Sequence, residues 1–423
     1  MKKNDKKTIN AWVLYDWANS VYPLVITSTI FPIYYAAVTS LPGTDKVHFL
    51  GMDIVNTALY SYALSFSFLI IAAVSPLLSA IADYSGNKKS FMRFFCYLGA
   101  ISCSALYFFI PGMLWVGILG FMFASIGYSG SIVFYNAYLP EIADPSEQDK
   151  VSARGFAMGY IGSSILLILN LLMVQHPGWF GIPPGTMAAR ISFLLVGLWW
   201  ILFSGITFRY LPGNTGGRKV QSSIVLRGYR ELLGVWRELK HTRVLKRFLL
   251  SFFIYNMGVQ TVMNVAALFG TKVLKLESTQ LITTILIIQF VAVGGAYLFS
   301  ALSKLLGNIT ALSISVFTWI GVCVAAYYVE DARGFYILAF MVGIVMGGIQ
   351  SLSRSTYSKL LPAGTANPAS YFSFFDVCDK LGYFFGIASF GLIEDFTGNM
   401  RNSIIALIVF FLAGLFFLIK IKK

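Results

Sequence analysis

The 423 residues are 57% hydrophobic and only 12% charged, with a mean hydropathy of +0.72. A soluble fold of this length cannot hide that much apolar surface, so the composition indicates a protein that crosses a membrane many times. The net charge of +14 could suit nucleic acid in a soluble domain, but here the basic residues are segregated by loop, and topology explains them without a nucleic-acid partner.

In chain order, Lys2, Lys3, Lys6 and Lys7 precede a long apolar run. That run contains Asp16 and Asn19, extends to about Val38 and lacks a clear small-residue cleavage site, so it reads as an uncleaved first span. A crossing needs about 20 apolar residues. On that basis the sequence predicts twelve spans, near 11–38, 57–82, 91–110, 113–138, 153–175, 190–210, 248–271, 279–303, 309–329, 334–358, 370–393 and 401–420. The four cysteines, Cys96, Cys103, Cys323 and Cys378, lie singly in apolar segments and suggest neither a disulfide framework nor a metal site. No cofactor is expected.

Lys and Arg collect in cytoplasmic loops. With the N-terminus inside, the outer loops hold only Lys46, Arg190, Lys272, Lys275, Arg333 and Arg401 of the 32 basic residues, and Lys380 falls within a span. Both termini and the central connector are therefore expected on the cytoplasmic side of the cell (inner) membrane. That connector runs from about Arg209 to Arg247 and includes Arg218 and Lys219. Within it Val225, Tyr229, Leu232, Trp236 and Leu239 recur at helical spacing, with Arg227, Arg230, Arg237 and Lys240 mostly on the opposite face. Such a helix suits the headgroup layer of an anionic leaflet. It equally suits a linker helix packed on the ends of its neighbours, with a calmodulin-like partner a third reading.

Internal repetition sets the architecture. SAIADYSGNKK at Ser79 to Lys89 recurs as SALSKLLGNIT at Ser300 to Thr310, aligning Gly86 with Gly307 and Asn87 with Asn308. Leu139-Pro140 likewise matches Leu361-Pro362, and Gly159-Tyr160 matches Gly382-Tyr383, at nearly the same offset. The expected fold is all-α: a bundle of six helices over 1–210, a connector over 211–247 and a second bundle of six over 248–423, related as a parallel duplication.

Polar groups within spans are expensive in lipid and must meet other helices or water. Asp16, Asn19, Ser20, Pro23 and Thr27 share one face of the first span. Asn256, Gln260 and Asn264 share one face of the seventh, its equivalent in the other half. They can serve as packing contacts or line an aqueous cavity on the pseudo-two-fold axis, the reading favoured here. The eleventh span carries Asp376, Asp379 and Lys380, with Lys380 about 15 Å deep and four residues after Asp376, the spacing of a same-face ion pair. Asp376 and Lys380 form either a self-contained pair that only lets the charge be buried, or part of a site where Lys380 holds a solute carboxylate while Asp376 or Asp379 exchanges a proton. In the tenth span Arg354 lies near the cytoplasmic exit and fits an inner gate or a snorkelling position. Gly343, Gly347 and Gly348 there, and Gly155, Gly159 and Gly162 in the fifth span, allow close backbone approach. Asp83 stands beside Gly86, Lys88 and Lys89 at the inner surface, where it could pair with a neighbouring base in one state, although a simple turn also explains Gly86 and Asn87.

SAIADYSGNKK resembles the loop signature of the major facilitator superfamily. YDWANSVY at Tyr15 to Tyr22, FYNAYLPEIA at Phe134 to Ala143, VSARGFAMGYIG at Val151 to Gly162, RSTYSKLLP at Arg354 to Pro362 and Lys380 resemble the branch of fungal vacuolar amino-acid effluxers linked to autophagy and their bacterial relatives. The resemblance implies a transporter, with amino acids as the substrate class. A secondary transporter of small polar solutes follows as the expectation, with Asp16, Asn19, Asn256, Gln260, Asn264 and Lys380 binding substrate, Asp376 and Asp379 coupling protons, and Asp83 and Arg354 gating. Two other classes compete: a sensor or scaffold that kept the fold, and an intramembrane enzyme. His48, His176 and His241 all lie in loops or the connector without a nucleophile or ligand pattern, which argues against the enzyme.

Overall fold

In the computed structural model, which describes residues 3–40, 46–213, 224–362 and 364–422, the first span is not one rod. Helix α1 (Lys6–Asn19) starts at Asp5, whose carboxylate accepts the Thr8 backbone N–H, and gives way to a π-helical stretch over Tyr22–Thr27 before α2 (Ile30–Thr39). Pro23 removes one backbone donor there. The loosened carbonyls find side chains instead: Ser28 Oγ donates to the Pro23 carbonyl, Thr29 Oγ1 to those of Leu24 and Val25, and Tyr60 OH to that of Thr27.

A hairpin that sequence periodicity did not reveal follows: β1 (Lys46–Phe49) pairs antiparallel with β2 (Met52–Val55). Leu50 and Gly51 turn it with positive φ, the geometry of a two-residue hairpin loop. Phe49 anchors it against Trp115, at 4.3 Å between ring centroids.

The first half continues through α3 (Asn56–Ser85), α4 (Lys88–Ala105), α5 (Leu114–Asn136), the short α6 (Leu139–Ile142), α7 (Gln148–Gln175) and α8 (Met187–Tyr210). The connector forms α9 (Ile224–His241). The second half comprises α10 (Arg243–Lys272), α11 (Ser278–Leu306), α12 (Asn308–Tyr328), α13 (Ala332–Leu360), α14 (Pro368–Thr397), and α15 (Met400–Ala406) continued as α16 (Ile408–Ile419). Each expected span falls on one of these helical segments. Among the described residues eleven segments are long and apolar enough to cross a bilayer. The twelfth, α14, matches α3 and α10 in length, and its Asp and Lys residues make it too polar to qualify on composition.

The duplication is visible in both turns and packing. Gly86 and Gly307 sit at the equivalent turns after α3 and α11, both with positive φ, where a side chain would be strained. Within the first half α1 packs on α7 and α8, and α4 on α8; within the second α10 packs on α14 and α16, and α12 on α16. Contact between the halves is also reciprocal: α7 lies against α11 and α13, and α14 against α3 and α5. Cores of both halves are close-packed, with Trp12, Trp200 and Trp319 wholly buried.

Both termini and α9 gather at one end. Asn4 Nδ2 donates to the Asp144 carboxylate, and Arg247 to the Lys420 carbonyl. Helix α9 packs on α3, α10 and α14. Its inward side chains are Val235 and Leu239, while Tyr229 and Trp236 stay about half exposed, Trp236 touching Phe374. The packed face is therefore rotated from the one the spacing suggested, because α3 and α14 and not the helix's own periodicity select what is buried. Arg218 and Lys219, and the side chains of Val225 and Arg227, lie outside the described residues.

Candidate functional site: a polar cavity between the halves

A cavity of about 170 Å³ lies where α1, α5 and α7 face α10, α13 and α14, three helices and their repeat equivalents. Two charge clusters line it. The first joins the halves. Arg354 of α13 reaches into the other half, where NH1 lies 3.1 Å and NH2 3.2 Å from Asp16 Oδ2 on α1. The same oxygen accepts a 2.7 Å hydrogen bond from Tyr135 OH. Arg354 Nε donates to Ser152 Oγ and NH2 to the Ser152 carbonyl, each at 2.9 Å. Trp12 and Phe156 lie against the guanidinium faces, at 4.7 and 4.1 Å to the ring centroids.

With only 3% of Arg354 and 5% of Asp16 exposed, this is a caged ion pair, not a snorkelling arginine as one reading of the sequence allowed. Its surroundings meet what buried charges require, an opposite charge and satisfied hydrogen bonds. Gly155 makes room for it. A Cβ there would sit 2.4 Å from Asp16 Oδ2 and 2.9 Å from Arg354 NH2, so this glycine clears the pair as well as letting helices approach. Gly155→Ala is expected to destabilise the purified protein by about 1–3 kcal/mol through overpacking, read as a lower melting temperature. Gly205→Ala, whose added Cβ meets nothing within 4 Å, is expected to melt like the parent.

The second cluster belongs to the C-terminal half. Lys380 Nζ lies 2.8 Å from Asp379 Oδ2 and 3.5 Å from Asp376 Oδ1, so the four-residue pair exists but the adjacent acid is the closer partner. Asp379 Oδ1 accepts from Asn256 Nδ2 and Gln260 Nε2, both at 2.9 Å. Asp376 Oδ2 is buried without a hydrogen-bond partner. Ser20, Tyr128, Asn136, Tyr255, Gln350 and Ser353 complete the polar lining.

Two expected lining residues stand apart. Asn19 is buried behind the wall, its Oδ1 meeting only Ser20 Oγ at 3.4 Å and its Nδ2 unpartnered. Asn264 donates to the Gln260 carbonyl and accepts from Tyr383 OH instead of facing the cavity. The four-residue steps predicted one face, but a stripe of more than two turns outruns the chamber it borders.

Toward the end bearing the termini, two more links close the halves on each other. Asp149, at the start of α7, takes Lys359 Nζ at 2.6 Å and Ser303 Oγ at 2.8 Å on Oδ2, and Asn308 Nδ2 at 2.7 Å on Oδ1. Among the described residues no base lies within salt-bridge distance of Asp83. Its carboxylate accepts the backbone N–H groups of Ala369 and Ser370 and the Ser370 hydroxyl, capping α14. The orphan donors of a helix N-terminus bind a carboxylate as a cation would, so in this conformation Asp83 is held by backbone and the Ser370 hydroxyl in place of a base. Lys88 turns instead to Glu141.

Comparison with known proteins decides the family. The profile described as "Vacuole effluxer Atg22 like" matches residues 4–423. The chain belongs to the Atg22-like family of major facilitator transporters. It is a multi-pass membrane transporter, not an enzyme. This Atg22-like chain is 33% identical to the MFS-type transporter YxiO of Bacillus subtilis strain 168, over 98% of its own length and 95% of the relative's. It is 24% identical to autophagy-related protein 22 of Yarrowia lipolytica, over 90% and 78%. Among solved structures it resembles FucP of E. coli in the outward conformation, with a TM-score of 0.71 and 11% identity over 99% and 98% of the two chains, a likeness of fold.

Proposed function

We propose that this Atg22-like transporter is a secondary carrier that exports amino acids or closely related small polar metabolites by alternating access, exchanging a proton at Asp376 or Asp379. The observation that carries this reading is a cavity walled by equivalent helices of both halves and lined by charged and amide side chains from each. A chamber of that size suits one small solute, and polar groups held at membrane depth mark solute or ion paths. Asp16, Asn256, Gln260 and Lys380 supply the substrate contacts. The halves rock on either side of the 211–247 connector, and the inner gate consists of Asp16–Arg354, Asp149–Lys359 and Asp83 on α14. All three links lie at or beyond the chamber toward the end that the charge distribution assigns to the cytoplasm of the cell membrane, which makes this the conformation closed to the inside.

Counterflow of labelled amino acids into proteoliposomes preloaded with unlabelled solute tests the reading. Exchange of at least one amino acid above empty liposomes is the expected result. Absence of exchange across neutral, basic and acidic amino acids would remove the proposed substrate class.

A further inference from the structure

Five charged side chains line the cavity: Asp16, Arg354, Asp376, Asp379 and Lys380. Ionised, three acids and two bases leave one negative charge. The hydrogen bonds show where it resides. Asp16 Oδ2 holds Arg354 and Tyr135, Asp379 Oδ1 holds two amides, and Asp379 Oδ2 holds Lys380. Asp376 shares Lys380 only through the longer 3.5 Å contact of Oδ1, and its Oδ2 has no partner although just 5% of the residue is exposed. An unpaired carboxylate oxygen buried at this depth is costly and calls for a proton or a cation.

We propose that Asp376 is the specificity residue of this carrier, and that its free oxygen receives either a proton or the ammonium group of a solute with net charge +1, such as a dibasic amino acid or a compact amine. The inference rests on the carrier reading above and narrows its substrate class. Phe252 and Phe375, stacked at 4.1 Å between centroids, line the same cavity and give it apolar surface suited to the methylene stem of such a solute. One carboxylate oxygen among rings suits an ammonium, whereas a bare divalent ion needs several oxygens.

The exchange balances. A protonated Asp376 gives up one proton as one ammonium group arrives, and the five groups plus their guest sum to zero in both states. A zwitterion would leave the excess negative charge in place, and an anion would double it. The groups that set the proton's affinity are Asp379 and Lys380 on α14 itself, Tyr128 from α5, Tyr255 beside Asn256 and Gln260 on α10, and Asp16 with Arg354 across the cavity; α3 contributes Phe68, whose ring lies 5.2 Å from Lys380 Nζ.

The test is binding and counterflow of L-lysine, L-leucine and L-aspartate by the full-length protein between pH 5 and 8, with proton release on binding followed by a pH indicator. Lysine is expected to bind best and to release up to one proton per site, its apparent Kd rising by about tenfold per unit fall in pH once Asp376 is mostly protonated. Asp376→Asn is expected to weaken lysine by more than about tenfold, the size of a lost hydrogen bond between charged groups, and to abolish the pH dependence. Asp376→Glu keeps the carboxylate and is expected to retain both properties, which separates loss of the charge from loss of the fold. Exchange of leucine or aspartate in preference to lysine, or lysine binding that ignores pH or survives Asp376→Asn, overturns this inference and leaves the carrier reading standing. Failure of all three solutes to bind or exchange overturns both.

Discussion

Arg354→Ala is expected to cost about 3–5 kcal/mol of stability and to release the inner closure. The variant leaves Asp16 buried with only Tyr135 for company, and removing one partner of a buried pair strands the other's charge. Because the pair bridges α1 and α13, its loss also removes a tie between the two halves. A lower melting temperature is the first readout. The second is labelling of a cysteine placed at Ser353, a cavity-lining position, by an impermeant maleimide added from the side of the termini, measured above the background of the four native cysteines. The double variant Asp16→Asn, Arg354→Gln, which removes both charges, is expected to recover part of the melting temperature while keeping the faster labelling. Parent-like melting and labelling in Arg354→Ala would show that the pair holds nothing together.

Lys380→Ala carries the second large effect. It strips the cation that pairs with the buried Asp376 and the partly buried Asp379 and shifts the sum over the cavity from one negative charge to two, so counterflow of the transported solute is expected to fall at least about tenfold and stability by several kcal/mol. Adding Asp379→Asn removes the acid closest to the lost ammonium. The pair of substitutions is expected to restore melting without restoring transport, since Asn256 and Gln260 then face an amide in place of the carboxylate they orient. Unchanged counterflow in Lys380→Ala would remove this lysine from the mechanism.

The sequence made the architecture legible because its information is periodic and repeated. Span lengths and the aligned Gly86 and Gly307 each depend only on local pattern, and each coincides with a helix or turn found in the fold. The site was legible residue by residue but not in its pairings. Asp16 and Arg354 are 338 positions apart, and nothing in either span's own pattern says that one closes on the other. The best available signal was the motif set. YDWANSVY supplies Asp16, FYNAYLPEIA supplies Tyr135 and Asn136, VSARGF supplies Ser152, Gly155 and Phe156, and RSTYSKLLP supplies Arg354 and Lys359, so four separate segments meet around the inner closure. Asp149, whose web of contacts rivals that of Arg354, was missed because an acid in the first turn of a helix reads as ordinary end-capping. The hairpin was missed because strands of four residues carry too little alternation to register.

The break over Tyr22–Thr27 divides the first span into two levers with different anchors. The inner lever is fastened to Arg354 through Asp16, and the outer one to its own half through Tyr34 on the Phe109 carbonyl and Thr39 beside Asn56. A jointed span of this kind can swing its outer lever over a loaded solute while the inner lever stays latched, so that capture and release need not be one motion.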